Sequence, residues 1–397
     1  MSGRPSSFRF AGESGPNPSS VAGLAIAVLV SAFVFGLAAI GPDCAFRGNQ
    51  DEPSAFPKGF FISPVELTLR FRHEPGERRL SFSRFSGSPR AWKEQAKEKL
   101  VALLKVQPQA PGQVRELRQI SYQGIMIKAL VMMIDEHLSI PAYLLLPGSG
   151  EAPKSAVMAI HGHGRAEPCV GAEDDYHHRF ALELAKAGHL VLCPELRGFG
   201  ALMDLADGLE IARLDYWIGR YSQFTLVTDG FLTGHTLIGE TVEDLLRWEA
   251  WLAESRGIKE LDAAGISYGG DLSLIYPVFS ERVRRIFASG TLGSFSVIFQ
   301  RCYNAPAHCI PGILEWLDRS DVAGLNAPRP LAIHYGELDT PSPTNASASY
   351  NETVPKSMEE LRDIYGVFGA REAVTLIVTP GAQHEMDIKA LLDFLNE

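Results

Sequence analysis

From residue 156 to the C-terminus, short apolar runs alternate with longer amphipathic segments, and this alternation constrains the fold more than any other feature. The runs at 156–160, 189–193, 261–266, 284–289, 331–335 and 373–378 have strand length. The segments at 176–187, 241–253, 268–278, 356–365 and 386–395 have helical periodicity. Strands this apolar must be covered on both faces, which predicts an α/β fold: a mostly parallel central sheet with helices on both sides. Upstream, residues 114–120, 125–134 and 139–146 read as three further strands joined by short turns, and no internal repeat is present.

The N-terminal part is of another kind. Residues 1–20 are rich in Ser, Gly and Pro and predict a flexible tail. Residues 21–40 carry no charge, and at 1.5 Å per residue they match the roughly 30 Å hydrocarbon core of a bilayer. Arg4 and Arg9 precede this run, and Asp43, Asp51 and Glu52 follow it, which orients the bulk of the chain outside the cytoplasm. An uncleaved membrane anchor, a cleaved signal and a buried core helix all fit the run; the first is favoured, and the signal would leave the protein secreted. Residues 41–60 read as a linker. Residues 61–111 form an extension, with two short strands expected in 61–85 and a helix over 91–104 that buries Trp92, Ala96, Leu100 and Leu103. Residues 112–397 are the expected catalytic domain. A hydrophobic content of 46% against 21% charged residues supports a real core, and a net charge of −10 argues against a nucleic-acid partner. The five cysteines contain no C-x-x-C pair; Cys302 and Cys309 are close enough in sequence to bridge.

One stretch interrupts the rhythm. Residues 198–239 form an insertion too long for an ordinary connection, and it carries Tyr216, Trp217, Tyr221, Phe224 and Phe231. It reads either as a helical flap with its own small core or as a lid in which Trp217 and Phe224 line a substrate pocket.

Gly265-Ile266-Ser267-Tyr268-Gly269 fits G-x-S-x-G. The motif alone is common, but here it follows a buried strand and opens a helix, the setting of a nucleophile elbow. Ser267 is the candidate nucleophile and the Tyr268 N–H a candidate oxyanion donor. A serine needs a base held by a third group, and in this setting acid then base follow in chain order. His384, in Pro-Gly-Ala-Gln-His-Glu-Met after the last strand, is the candidate base. His334 lies inside an apolar strand and reads as a core residue, and His308 comes too early. Asp339 in Gly336-Glu337-Leu338-Asp339 is the candidate acid, with Glu337 as the alternative. His161-Gly162-His163-Gly164 follows the strand at 156–160, where a second oxyanion donor belongs; the His163 N–H is preferred, then Gly162. A rival reading makes His161 and His163 metal ligands, helped by His177 and His178. No third ligand has suitable spacing, so no metal is expected.

Together HGHG, GISYGG, GELD and AQHEM resemble the α/β-hydrolase superfamily over roughly residues 112–397. Within it, YHHRFALELAKAGHLVLCPELRGFG, GHTLIGETVEDLLRWEAWL and CIPGILEWLDRSDVAGLNAPRPLAIHYGELD resemble the acetyl xylan esterase-like and dienelactone hydrolase-like branch. The resemblance implies acyl-enzyme hydrolysis of carboxylic esters without a cofactor. Small-molecule or carbohydrate esters are the implied substrates, with Ser267, Asp339 and His384 as the triad and Tyr268 and His163 as oxyanion donors. Dienelactone hydrolases proper carry Cys where this chain has Ser267, so the resemblance does not extend to lactone specificity. Glu195 stands where the branch often has Asp, which implies a structural role near Arg197. The S-Y-G-G variant also resembles prolyl-oligopeptidase-type peptidases. Those carry a large propeller, for which residues 41–111 are too few. A non-catalytic binding protein with this fold is the other class considered, but the chain has all three triad residue types in order.

Overall fold

The structure, a computed structural model, describes residues 77–107, 110–148, 152–203, 222–297, 306–339 and 351–396. The apolar run 21–40, its flanking tail and linker, Cys44, Cys302 and Trp217 lie outside the described residues.

The apolar runs become β4 (Ala156–Ile160), β5 (Leu190–Pro194), β6 (Leu261–Ile266), β7 (Val283–Ser289), β8 (Leu331–Gly336) and β9 (Val374–Thr379). Before them come β1 (Gln113–Tyr122), β2 (Ile125–Met133) and β3 (Ser139–Leu146). They form one sheet in the order β1-β2-β3-β5-β4-β6-β7-β8-β9. The first three strands and the β3–β5 pair are antiparallel, and every later pairing is parallel. Burial follows this division. β2 alternates buried with half-buried residues, whereas every residue of β4, β5 and β6 is buried.

The helices are α1 (Pro89–Leu104), α2 (Phe180–Lys186), α3 (Gln223–Thr233), α4 (Leu237–Arg256), α5 (Tyr268–Phe279), α6 (Arg319–Gly324), α7 (Val354–Val367) and α8 (Ile388–Asn396). They cover both faces. Trp92, Leu245, Trp248, Leu272 and Leu361 belong to one core cluster; Phe180, Leu184, Leu391 and Leu395 belong to the other. None of the described helices is long and apolar enough to cross a membrane.

Several sequence expectations need correction. Residues 77–85 form no strand: a 3-10 turn spans Phe82–Arg84. This segment is held by other contacts, since the Arg79 and Leu80 amides donate to the Glu315 and Trp316 carbonyls and Arg78 pairs with buried Asp318 at 2.8 Å. In α1, Leu104 rather than Leu103 completes the buried row with Trp92, Ala96 and Leu100, and Ser88 caps the helix through the Ala91 amide. Helix α2 begins at Phe180 and not at 176, because His178 and Arg179 have positive φ and residues 175–179 form a turn instead. Helix α4 begins at Leu237 and not at 241, because the Thr236 hydroxyl caps the Gly239 amide. Within the insertion the described part is helical: a turn at Gly200–Met203, then α3.

Candidate active site

The parallel arrangement brings the turns after β4, β6, β7, β8 and β9 to one edge of the sheet, where α/β folds place their sites. At the turn after β6, Ser267 has φ 60° and ψ −119°, a strained conformation for a residue with a Cβ. Its N–H donates to the Ser289 carbonyl at the end of β7 (2.9 Å), and its own carbonyl accepts the Asp271 amide to start α5. The flanking glycines are required by contact. A Cβ at Gly265 would lie 2.3 Å from the Gly269 carbonyl oxygen, and one at Gly269 would lie 2.1 Å from the Ile160 carbonyl oxygen. Tyr268 therefore sits in the first turn of a helix buried from Tyr268 to Val278, where amides have no helical acceptor.

The HGHG turn after β4 is fastened from several sides. The Gly162 amide donates to His177 Nε2 (2.9 Å), and His177 Nδ1 lies 2.8 Å from Asp175. His161 Nδ1 binds the Gly162 carbonyl at 2.7 Å. The Tyr176 hydroxyl donates to the His163 carbonyl at 2.7 Å. A Cβ at Gly162 would meet the Tyr176 hydroxyl at 2.3 Å and Ser267 Cβ at 3.0 Å, so this turn lies directly against the serine. Burial, with smaller contributions from His308 and His384, holds the His163 imidazole down at about 3, so it is neutral. Its ring is stacked on His308 at 5.4 Å and meets Phe199 edge-on at 5.2 Å.

The turns after β8 and β9 are joined to each other. The Glu337 and Leu338 amides donate to the Thr379 and Ala382 carbonyls, and the Asp339 amide turns back onto Gly336. A Cβ on Gly336 would lie 2.2 Å from the Gln383 carbonyl oxygen, which shows how closely the two turns pack. Asp339 Oδ2 stands 2.8 Å from His384 Nδ1; Asp339 is buried and the His384 side chain is 18% exposed. The His384 ring lies over Gly290, where a Cβ would approach within 2.6 Å of its Cε1 atom. Gly290 directly follows Ser289, the residue that holds the Ser267 amide. Ser267, His384, Asp339 and the HGHG turn thus share one small region. The alternative acid, Glu337, is exposed, and its Oε2 accepts the Gly381 amide at 2.9 Å.

Other sequence assignments fare differently. Phe224 is half-buried on α3, next to Gln223, whose side-chain oxygen accepts the Ala307 amide. Glu195 does not pair with Arg197. It faces His161 Nε2 at 2.9 Å and accepts the Ala201 amide, while Arg197 binds Asp244 and Glu240. Glu195 is two residues nearer the end of β5, beside the HGHG turn. Among the described residues no cluster of three or more His, Cys, Asp or Glu side chains is arranged to hold a metal ion. Sequence reading missed Asp175 and Tyr176 as supports of the HGHG turn. It also missed the buried group of Asp271, His308, Thr291 and Arg319 behind the serine, in which Arg319 Nη2 lies 2.9 Å from Asp271. Asp271 follows Ser267 by one helical turn, the only local signal that it stands near the site.

No family model matches the chain. Its sequence is 23% identical over 287 residues to the Bacillus subtilis (strain 168) protein named "Putative hydrolase YtaP", covering 69% of this chain and 88% of that protein. Among solved structures it is similar to a "putative acetyl xylan esterase" from Bacteroides fragilis NCTC 9343, with TM-score 0.61 and 18% identity over 81% of this chain and 84% of that one. It is also similar to the methylesterase BT1017, with TM-score 0.55 and 16% identity over 82% and 68% of the two chains. A glucuronoyl esterase from Solibacter usitatus gives TM-score 0.54 and 11% identity over 78% and 93%. The nine-stranded, mostly parallel sheet with helices on both faces is thus the α/β-hydrolase fold, shared with these three proteins.

Proposed function

We propose that the protein is a serine esterase that cleaves carboxylic esters through an acyl-enzyme. The observation that carries this reading is the 2.8 Å Asp339–His384 contact, seated on Gly290 beside a strained Ser267. In the proposed reaction His384 Nε2 takes the Ser267 proton as Oγ attacks the ester carbonyl. Asp339 fixes the tautomer by accepting from Nδ1–H and stabilises the imidazolium that forms. The Tyr268 and His163 amides hold the oxyanion; the Gly162 amide is committed to His177, which favours His163 as the donor from its turn. The alcohol departs with the proton from His384, and water repeats the sequence to release the acid.

The similarity to the acetyl xylan esterase favours a small acyl group, such as acetyl, on a carbohydrate or similar alcohol, with no cofactor. The apolar run at 21–40 favours a site of action outside the cytoplasm, membrane-anchored or secreted. Ser267→Ala should lower turnover of p-nitrophenyl acetate by roughly 10⁴-fold or more without loss of fold, and abolish fluorophosphonate labelling. Undiminished turnover in the folded variant would remove the assignment. An acyl panel from acetyl to octanoyl, with acetylated sugars and a peptide amide, then separates esterase from peptidase and sets the chain-length preference.

A further inference from the structure

His334 was expected to be an ordinary core residue, yet it is the centre of a directed hydrogen-bond chain. Its ring is buried in β8 and stacked on Phe287. Nδ1 lies 2.8 Å from the Ser289 hydroxyl and Nε2 3.0 Å from the Thr379 hydroxyl. The Thr379 hydroxyl donates to Asp387 Oδ2 at 2.5 Å. That last bond fixes the direction of the others. A carboxylate only accepts, so Thr379 donates to Asp387 and must accept from His334 Nε2–H, which leaves Nδ1 to accept from Ser289. Burial holds the His334 imidazole down at about 4, against the pull of Asp387, Asp339 and Glu385, with His384 adding to the lowering. The ring is therefore neutral, as the chain requires. Burial alone would raise Asp387, but the Thr379 hydroxyl, the Ala390 amide and His334 outweigh it and keep the carboxyl below its usual range.

Both ends of the chain are seats of the site. Ser289 holds the Ser267 amide, and the next residue, Gly290, lies under the His384 ring and donates to the His334 carbonyl at 2.7 Å. Thr379 is the base of the two joined turns: its carbonyl accepts the Glu337 and Ala382 amides, and those turns carry Asp339 and His384. We propose that His334 is a positioning residue, whose neutral ring ties the Ser289–Gly290 seat to the Thr379 turn and so fixes His384 against Asp339 and Ser267. This rests on the reading of those three residues as a triad. It extends the set that governs turnover to residues that never touch substrate.

The test compares wild type with His334→Phe, which keeps the ring and its packing but removes both hydrogen bonds, and with the near-isosteric Thr379→Val, which cuts the same chain at its other link. Each is titrated with a fluorophosphonate, so that rates refer to reactive sites. The expected result is a kcat lower by about 10- to 100-fold in His334→Phe, with KM within about twofold, as for a misplaced catalytic group. The acidic limb of the kcat/KM profile should move to lower pH as His384 loses its alignment with Asp339. Thr379→Val should show the same pattern in smaller degree, and it carries the test alone if His334→Phe does not fold. Variants that lose thermal stability but label Ser267 at the wild-type rate, with an unmoved acidic limb, would overturn the positioning role and leave the triad intact. A wild-type protein that is not labelled at Ser267 overturns both.

Discussion

Two histidine–aspartate pairs lie near the Ser267 turn, one half-open and one fully buried, and they differ in everything but their chemistry. Asp339 and His384 meet on the turns after β8 and β9, and the histidine keeps 18% of its side chain exposed. Asp271 and His308 meet behind the first turn of α5, each about 1% exposed, with Arg319 on the same carboxylate and the Thr291 hydroxyl beside it. Burial would raise the Asp271 carboxyl, but Arg319, His308 and Thr291 outweigh it and hold it at about 2. A histidine–aspartate contact is therefore no mark of catalysis by itself. The proposed base differs in keeping part of its ring open to the side where a substrate can reach it. The His308 ring instead stacks on His163 behind the HGHG turn.

The largest expected effect separates the two pairs. Asp339→Asn should lower kcat by about 10⁴-fold while barely changing stability, since it disturbs the tautomer of His384 and not the packing. Asp271→Asn should do the reverse. It leaves Arg319 and His308 facing a neutral amide in a dry interior, at a cost of about 3–5 kcal/mol in unfolding free energy. The activity that remains per folded molecule should stay within about tenfold of wild type. Steady-state kinetics with urea unfolding of both variants decides the matter. A stable Asp271→Asn protein without activity would make the buried pair part of the chemistry.

A second, smaller effect sharpens the contrast by pH. A carboxyl held at about 2, against 3.8 when free, contributes stability that is complete above about pH 4 and is lost as pH falls through 2. The shift corresponds to roughly 2–3 kcal/mol. His334 acts in a higher window. Its folded value of about 4 lies below the free value of 6.5, so the unfolded chain binds the proton first and stability declines as pH falls from about 6.5 toward 4. Urea midpoints measured from pH 7 to pH 2.5 should thus fall in two stages. Asp271→Asn should flatten the lower stage, and His334→Phe should make the upper one shallower, the rest of it coming from His163, which is held still lower. A single stage that neither substitution alters would contradict these assignments.

How much of this was legible in the sequence depended on how local the determinant was. The limits of β4 and β6 coincide with the apolar runs 156–160 and 261–266, because a fully buried strand ends where polar side chains or a sharp turn begin. The fold followed from those runs and from the G-x-S-x-G turn between β6 and α5. The start of α2 was misread because apolar spacing continues through Tyr176, whereas the backbone there is set by distant partners: Tyr176 reaches the His163 carbonyl and His177 the Gly162 amide. His308, Asp271 and Arg319 are scattered over three elements, and His334 is linked to Ser289 and Thr379 only through the pairing of β7, β8 and β9. Nothing in a one-dimensional pattern joins such residues. The same limit governed Glu195, read as a neighbour of Arg197 by proximity in sequence and found against His161 across the β4–β5 pair.

The smallest effect concerns the choice between two acids in one tetrapeptide. Glu337 and Asp339 are two residues apart after β8, and either carboxylate has the chemistry to hold a histidine. The backbone turns them to different tasks. The Glu337 amide still pairs with Thr379 in the manner of the strand, which leaves its side chain in solvent to clasp the Gly381 amide at 2.9 Å. The Asp339 amide has turned back onto Gly336, and that turn brings its carboxylate inward to His384. Glu337→Gln keeps an oxygen for the Gly381 amide, so turnover should stay within about twofold and stability within about 0.5 kcal/mol of wild type. Kinetics of Glu337→Gln beside Asp339→Asn makes the test symmetrical. If the glutamate variant were the one to lose turnover, the inward turn at Asp339 would be structural, and the clasp on the His384 turn would have to be the group that orients the base.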